Sequence, residues 1–199
     1  MEHLRSTRAE INLDNLKYNI DRCREEIGPD VEPMAIIKAD AYGHGIRPVT
    51  QALLAAGCRS FAVACLEEAV ALRRLLRELM TGSASDLLTD ILVLGHTDPR
   101  NAPILAAYHI TATLLSAEYA SRLLACAREA RVTVKGHIAL DTGMNRIGVA
   151  QGQPLADFLK VLKSLPCLQV EGVFTHFATA DEGAGGDDLF AQQGDRYIE

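Results

Sequence analysis

Apolar positions along the chain follow two alternating rhythms. Short, mostly apolar runs at Met34–Ile37, Ser60–Leu66, Asp90–Gly95, Ile110–Leu114, Val132–Leu140 and Leu168–Phe177 have the length and continuity of buried strands. Between them the apolar residues recur every three or four positions, as on one face of a helix. Leu16, Ile20, Cys23 and Ile27 form such a stripe, with Asp14 placed to cap it and Gly28-Pro29 to stop it. Further helices are expected over Pro48–Ala56, from Glu67 to about Met80, briefly from Pro99, and over Ala117–Ala130 behind a Ser116 cap. Leu155, Phe158, Leu159 and Leu162 stripe another, and the tail after Asp181-Glu182 is polar and helix-tending. Arg8–Leu13 alternates with period two and reads as a half-buried strand, while Thr81–Thr89 is a polar loop.

Continuous apolar strands alternating with amphipathic helices predict parallel βα units. Six such units without a Gly-rich dinucleotide fingerprint predict an α/β fold, an incomplete (β/α)8 TIM-type barrel in a single domain over 1–199. An open doubly wound sheet is the second architecture the pattern allows. In a barrel, chemistry gathers where strands end, so the residues that close each apolar run carry the functional reading.

Composition narrows the class. A formal charge of −6 opposes general nucleic-acid binding, which calls for a basic excess. No apolar run approaches the roughly 18 residues that cross a bilayer, and the polar start Met-Glu-His-Leu-Arg-Ser-Thr-Arg has no secretory core. Five cysteines without a CxxC pair read as reduced thiols in a cytosolic setting. His3, His96, His109 and His137 lack metal-ligand spacing, so no zinc site is expected.

Three segments close apolar runs with polar residues of catalytic type. In Pro33-Met-Ala-Ile-Ile-Lys-Ala-Asp-Ala-Tyr-Gly-His-Gly45 a lysine ends the first strand. Burial at a strand end disfavours the ammonium form, which prepares Lys38 to condense with a carbonyl as a Schiff base. Gly43 and Gly45 allow the backbone to approach a phosphate, Tyr42 adds a hydroxyl, and His44 reads as a structural tie to the next helix. In Leu140-Asp-Thr-Gly-Met-Asn-Arg-Ile-Gly148, Arg146 follows a tight turn at Gly143 and offers a planar fork to a carboxylate or phenolate. In Val173-Phe-Thr-His-Phe-Ala-Thr-Ala-Asp-Glu182, His176 sits where an imidazole can stack on an aromatic cofactor. Taken singly, the commoner readings are a solvated loop lysine, a surface arginine and a core histidine bonded to a carbonyl.

Taken together, and in this order, the three segments resemble the cofactor-lysine, DTGM-x-R and FTHFATADE motifs of the alanine racemase family. The resemblance runs from Arg8 nearly to the last residue. It implies pyridoxal 5'-phosphate as cofactor, held by Lys38, Tyr42, Arg146 and His176, with Lys38 as catalytic base and Arg146 on the substrate carboxylate. It also implies a small amino-acid substrate, interconversion of L- and D-alanine for peptidoglycan supply, and a cytoplasmic homodimer. In the family a tyrosine from the partner's C-terminal β-domain is the second base, and that domain pairs with the strand at 8–13. Neither that domain nor two of eight barrel strands fits within this chain, so reduced or absent activity is expected of it alone. The family often has a lysine two residues before the motif's aspartate, where this chain has Ala139. A non-catalytic pyridoxal-phosphate carrier and a serine racemase of the same fold are the alternative functions.

Overall fold

The computed structural model describes residues 7, 9–80, 88–163 and 167–198. Seven parallel strands form one sheet: β1 (Met34–Ile36), β2 (Ser60–Val63), β3 (Asp90–Val93), β4 (Thr111–Leu114), β5 (Val134–Asp141), β6 (Val149–Ala150) and β7 (Leu168–Thr175). The first five lie side by side in chain order, and β7 adds to the far edge of β5. The two-residue β6 pairs only with the end of β5. A doubly wound sheet would reverse its strand order partway across. This order never reverses, which settles the architecture as a barrel wall. The wall is not closed: among the described residues β1 and β7 have no pairing with each other.

Helices α1 (Leu13–Ile27), α3 (Ile46–Ala55), α4 (Leu66–Leu79), α5 (Ala102–Ala107), α6 (Ala117–Ala130), α7 (Gln153–Lys163) and α8 (Asp187–Ile198) fill the connections, with a tight turn labelled α2 (Lys38–Tyr42) after β1. The core lies between the sheet and its outer helices. Phe61, Ile91 and Leu114 on strands and Leu72, Leu76 and Leu123 on helices are fully buried, each worth roughly 1.5–3 kcal/mol of transfer from water. Arg73 on α4 is as buried as these. Its guanidinium donates to the carbonyls of Thr89, Tyr108 and His109 and to the Thr89 hydroxyl, all at 2.8–3.0 Å. One side chain thereby ties the segments leading into β3 and β4.

Several expectations need correction. The period-two stretch at 8–13 forms no strand over its described residues 9–12. Helix α1 begins at Leu13, capped by the Asn12 side chain rather than by Asp14. A strand needs a neighbour to satisfy its backbone, and among the described residues no strand pairs with this segment. The first apolar run is a strand but not a buried one. Met34 and Ala35 are half-buried and Ile36 is 45% exposed, because β1 is an edge strand. Leu159 faces outward on α7, where Phe158 alone is fully buried. Most of the polar loop expected at Thr81–Thr89 lies outside the described residues. No helix among the described residues is long and apolar enough to cross a membrane.

Candidate active site

The chain leaves β1 through a turn that few sequences adopt. Ala39, Asp40 and Ala41 have φ/ψ of 51°/54°, 54°/45° and 54°/49°, and Tyr42 has φ 57°. Four consecutive non-glycine residues are thus left-handed, at roughly 1–2 kcal/mol each. Tertiary hydrogen bonds hold them there. The Glu68 carboxylate on α4 accepts from the Ala39 and Ala64 amides, one oxygen each, both at 2.8 Å. Asp40 Oδ1 accepts from the Ile46 amide at 2.7 Å and its carbonyl from Gly45 at 3.0 Å, which joins the turn to α3. Asp40 thus provides the tie expected of His44, whose side chain is exposed.

The turn presents Lys38 at the carboxyl end of β1. The amine is half-buried rather than dry, since the edge strand leaves one flank open. Its Nζ lies 5.8 Å from the centroid of the Tyr42 ring, so Tyr42 meets it through the ring face. No carboxylate pairs with Lys38 among the described residues.

Arg146 lies between β5 and β6. Asp141, the last residue of β5, folds that connection by accepting from the amides of Gly143 and Asn145 at 3.0 and 2.9 Å. Asn145 is left-handed at φ 55°, and its side chain donates to the Gly143 carbonyl. The return passes Gly148 at φ 112°, where a Cβ would stand 2.8 Å from the Ala139 carbonyl oxygen. Only glycine fits, so the chain turns back sharply and leaves Arg146 exposed over the strand ends. Ala139 itself is 2% exposed and carries no charge to orient that arginine.

His176 follows β7, whose Thr175 is in register with Leu140 of β5. Its pKa lies below the ordinary histidine value, first through burial and then through the positive charges of Arg146 and Lys38. The three residues picked from separate segments each follow the carboxyl end of a strand: Lys38 after β1, Arg146 after β5 and His176 after β7. Lys38 and Arg146 act on one imidazole, and Tyr42 touches the lysine. Asp181-Glu182 sits in a turn as expected, with the Glu182 amide donating to the Thr179 carbonyl, but its side chain makes no cap bond.

The sequence pattern did not point to Glu68 and Gln193. Glu68 falls in the first turn of the helix expected from Glu67, and Gln193 in the polar tail. Gln193 is fully buried and bonded to the segments on either side of it. A cavity of about 600 Å³ lies at the opposite mouth of the wall, lined by Met34, Ser60 and Asp90, which begin their strands, and by His137 and the Lys135–Glu171 ion pair. It is remote from the strand ends that carry Lys38 and His176.

Two cations beside an imidazole that favours its neutral form make a face complementary to an anion. A cofactor bearing a phosphate or phenolate and a substrate bearing a carboxylate both fit that donor set. Residues 11–197 match the family model described as alanine racemase, N-terminal domain. Alanine racemase 1 of Bacillus subtilis (strain 168) is 40% identical over 199 residues, covering 98% of this chain and 46% of the relative. The Limosilactobacillus fermentum alanine racemase is 40% identical over 181 residues, covering 90% and 46%. Among solved structures, alanine racemase from Bacillus anthracis with bound L-Ala-P superposes with a TM-score of 0.81 at 37% identity, covering 94% of this chain and 45% of that one. A histidine racemase from Leuconostoc mesenteroides superposes at 0.77 with 27% identity, covering 92% and 47%. The chain spans about half the length of the curated relatives it matches.

Proposed function

Because the chain belongs to the alanine racemase family, we propose that it is the lysine-bearing half of a pyridoxal-phosphate-dependent racemase acting on alanine. The observation that supports this reading is the match of residues 11–197 to the alanine racemase N-terminal domain, with Lys38, Arg146 and His176 each following the carboxyl end of a parallel strand. Pyridoxal phosphate, when bound, supplies the electron sink that acidifies the α-proton of an amino acid.

The chain's own residues have the remaining work. Lys38 is the residue that would hold the cofactor through its aldehyde, and its free amine would be the base that takes and returns the proton at the substrate Cα. Its half-buried position suits an amine that must alternate between these states. Arg146 presents a planar fork to the substrate carboxylate and to an anionic ring oxygen, a geometry a lysine cannot supply. His176, whose pKa is lowered by burial and then by the positive charges of Arg146 and Lys38, offers a flat imidazole to pack against a ring. Tyr42 shields one side of the amine.

Racemisation requires a proton donor on the opposite face of Cα as well. Lys38 provides for one face only, so the chain alone binds cofactor and turns over slowly or not at all. Adding pyridoxal phosphate to the purified chain tests the assignment. A visible absorbance band that Lys38→Ala abolishes is expected, with little D-alanine formed from L-alanine. An unchanged band in Lys38→Ala would refute the lysine's role, and brisk turnover would refute the need for a second half.

A further inference from the structure

Gln193 lies on α8, far along the chain from every motif residue, and is fully buried. Its Oε1 accepts from the Ala178 amide at 2.8 Å, while Nε2 donates to the His176 carbonyl at 3.1 Å and the Thr142 hydroxyl at 3.2 Å. The amide cannot be flipped, because the Ala178 N–H needs an acceptor and the His176 carbonyl needs a donor.

Proton accounting then fixes the direction of the remaining bonds. Thr175 Oγ1 donates to the Leu140 carbonyl at 3.0 Å, which uses its only proton. The 2.8 Å contact between Thr142 and Thr175 hydroxyls must therefore run from Thr142 to Thr175. Thr142 has spent its own proton and accepts from Gln193. A single directed series joins α8, the start of the Arg146 turn, the residue before His176 and the end of β5. Arg196, one helical turn along α8, adds a bond to the Thr142 carbonyl at 2.9 Å. Gly143 lets the helix close on that turn, since a Cβ there would stand 3.2 Å from the Arg196 guanidinium.

We propose that Gln193 is a positioning residue that sets His176 and the Arg146 turn relative to each other, and so shapes the anion-binding face. The inference rests on the pyridoxal-phosphate reading for its ligand, not for its geometry. Every polar atom that Gln193 engages belongs to one of the two segments carrying these side chains. Its loss leaves the Ala178 amide and the His176 carbonyl without their buried partner, and the two strand ends become free to shift independently.

The test compares the wild-type chain with Gln193→Met, which keeps the volume and removes the hydrogen bonds, and with Tyr197→Phe. The latter removes only the bond from the α8 tyrosine hydroxyl to the Val173 carbonyl. Readouts are thermal stability, pyridoxal-phosphate affinity by absorbance titration, and the titration midpoint of the His176 ring by NMR without cofactor. Expected are a tenfold or greater loss of affinity and a rise of the His176 midpoint in Gln193→Met, with Tyr197→Phe within twofold of wild type. Affinity within twofold and an unmoved His176 midpoint in Gln193→Met would overturn the proposal. So would equal losses in both variants, since that would mean helix docking alone matters. If Gln193→Met does not fold, Thr142→Ser and Thr142→Val decide instead. Serine keeps the hydroxyl and should keep affinity, valine should lose it, and equal affinity in the two overturns the proposal. A wild-type chain that takes up no pyridoxal phosphate would refute the functional reading, and the His176 midpoint would then decide the role of Gln193 by itself.

Discussion

The left-handed turn after Lys38 makes Glu68 a decisive place to perturb the fold. Its carboxylate bonds the Ala39 amide with one oxygen and the Ala64 amide with the other, both at 2.8 Å. Hydrogen bonds to a charged group are worth about 1.5–3 kcal/mol each when the alternative is an unsatisfied partner. The Ala39 amide borders solvent and is rehydrated on loss of the carboxylate, so it falls below that range, whereas the Ala64 amide is partly enclosed. Glu68→Ala is therefore expected to cost about 2–4 kcal/mol. With unfolding entropy near 2.1 cal/mol/K per residue, a chain of 199 residues should lose about 5–10 °C in Tm. Glu68→Gln keeps one acceptor and turns an NH2 toward the other amide, so its loss should fall between wild type and alanine. Differential scanning calorimetry gives the stability, and hydrogen exchange at the Ala39 and Ala64 amides gives the location. A Tm within 2 °C of wild type together with unchanged protection at both amides, a limit set on the order of the measurement's precision, would refute the view that this carboxylate holds the turn.

Three further outcomes are expected. Arg73→Met should destabilise by about 3–5 kcal/mol in urea titration, because buried carbonyls at Thr89, Tyr108 and His109 lose their donor; a shift under about 1 kcal/mol would mean they find other partners. Gly148→Ala forces a Cβ to 2.8 Å from the Ala139 oxygen at φ 112°, so it should cost about 2 kcal/mol or more and weaken pyridoxal-phosphate binding through Arg146; unaltered affinity would separate that turn from the site. His137 and His176 both have folded-state pKa values below the ordinary histidine value, His137 chiefly through burial. The unfolded chain thus binds protons first, so their contribution is fully present above the ordinary value near 6.5 and is lost as pH falls through the folded values. The urea midpoint should drop between about pH 7 and about pH 5, from roughly half a unit above that value to roughly one and a half below it, and His137→Gln should flatten the decline.

How much of this was legible depends on the range of the forces involved. Ser116 and the stripe behind it marked α6 to the residue, because capping and amphipathic spacing are local. Strand starts at Met34, Ser60 and Leu168 were legible for the same reason, and so was the position of Lys38 at a strand end. The left-handed run from Ala39 to Tyr42 was not. It contains no glycine, and local propensity opposes it at every step. Its determinants are a carboxylate on α4, twenty-nine positions from Ala39, and the Asp40 bond to α3. The exposure of Ile36 was hidden as well, since an apolar run reads alike in a central strand and in an edge strand. At 8–13 the period-two signal stood without the partner that makes such a signal a strand.

The same division explains how the site is built. Its candidate residues were picked from motifs that close strands, which local apolar patterning marks. Their placement depends on side chains that reach back from the following helices: Glu68 to the Lys38 turn, and Gln193 to the Arg146 turn and His176. Each of these is a polar group on a helix face, a position where the hydrophobic pattern is silent. Under the proposed reading two separately anchored units make up the face, Lys38 with Tyr42 after β1 and Arg146 with His176 after β5 and β7. The sheet between them is continuous through β2, β3 and β4, and that rigid parallel core sets the distance across the face. Loosening either anchor should affect cofactor affinity in proportion to its own unit, and the two effects should add, because the anchors share no hydrogen-bond partner.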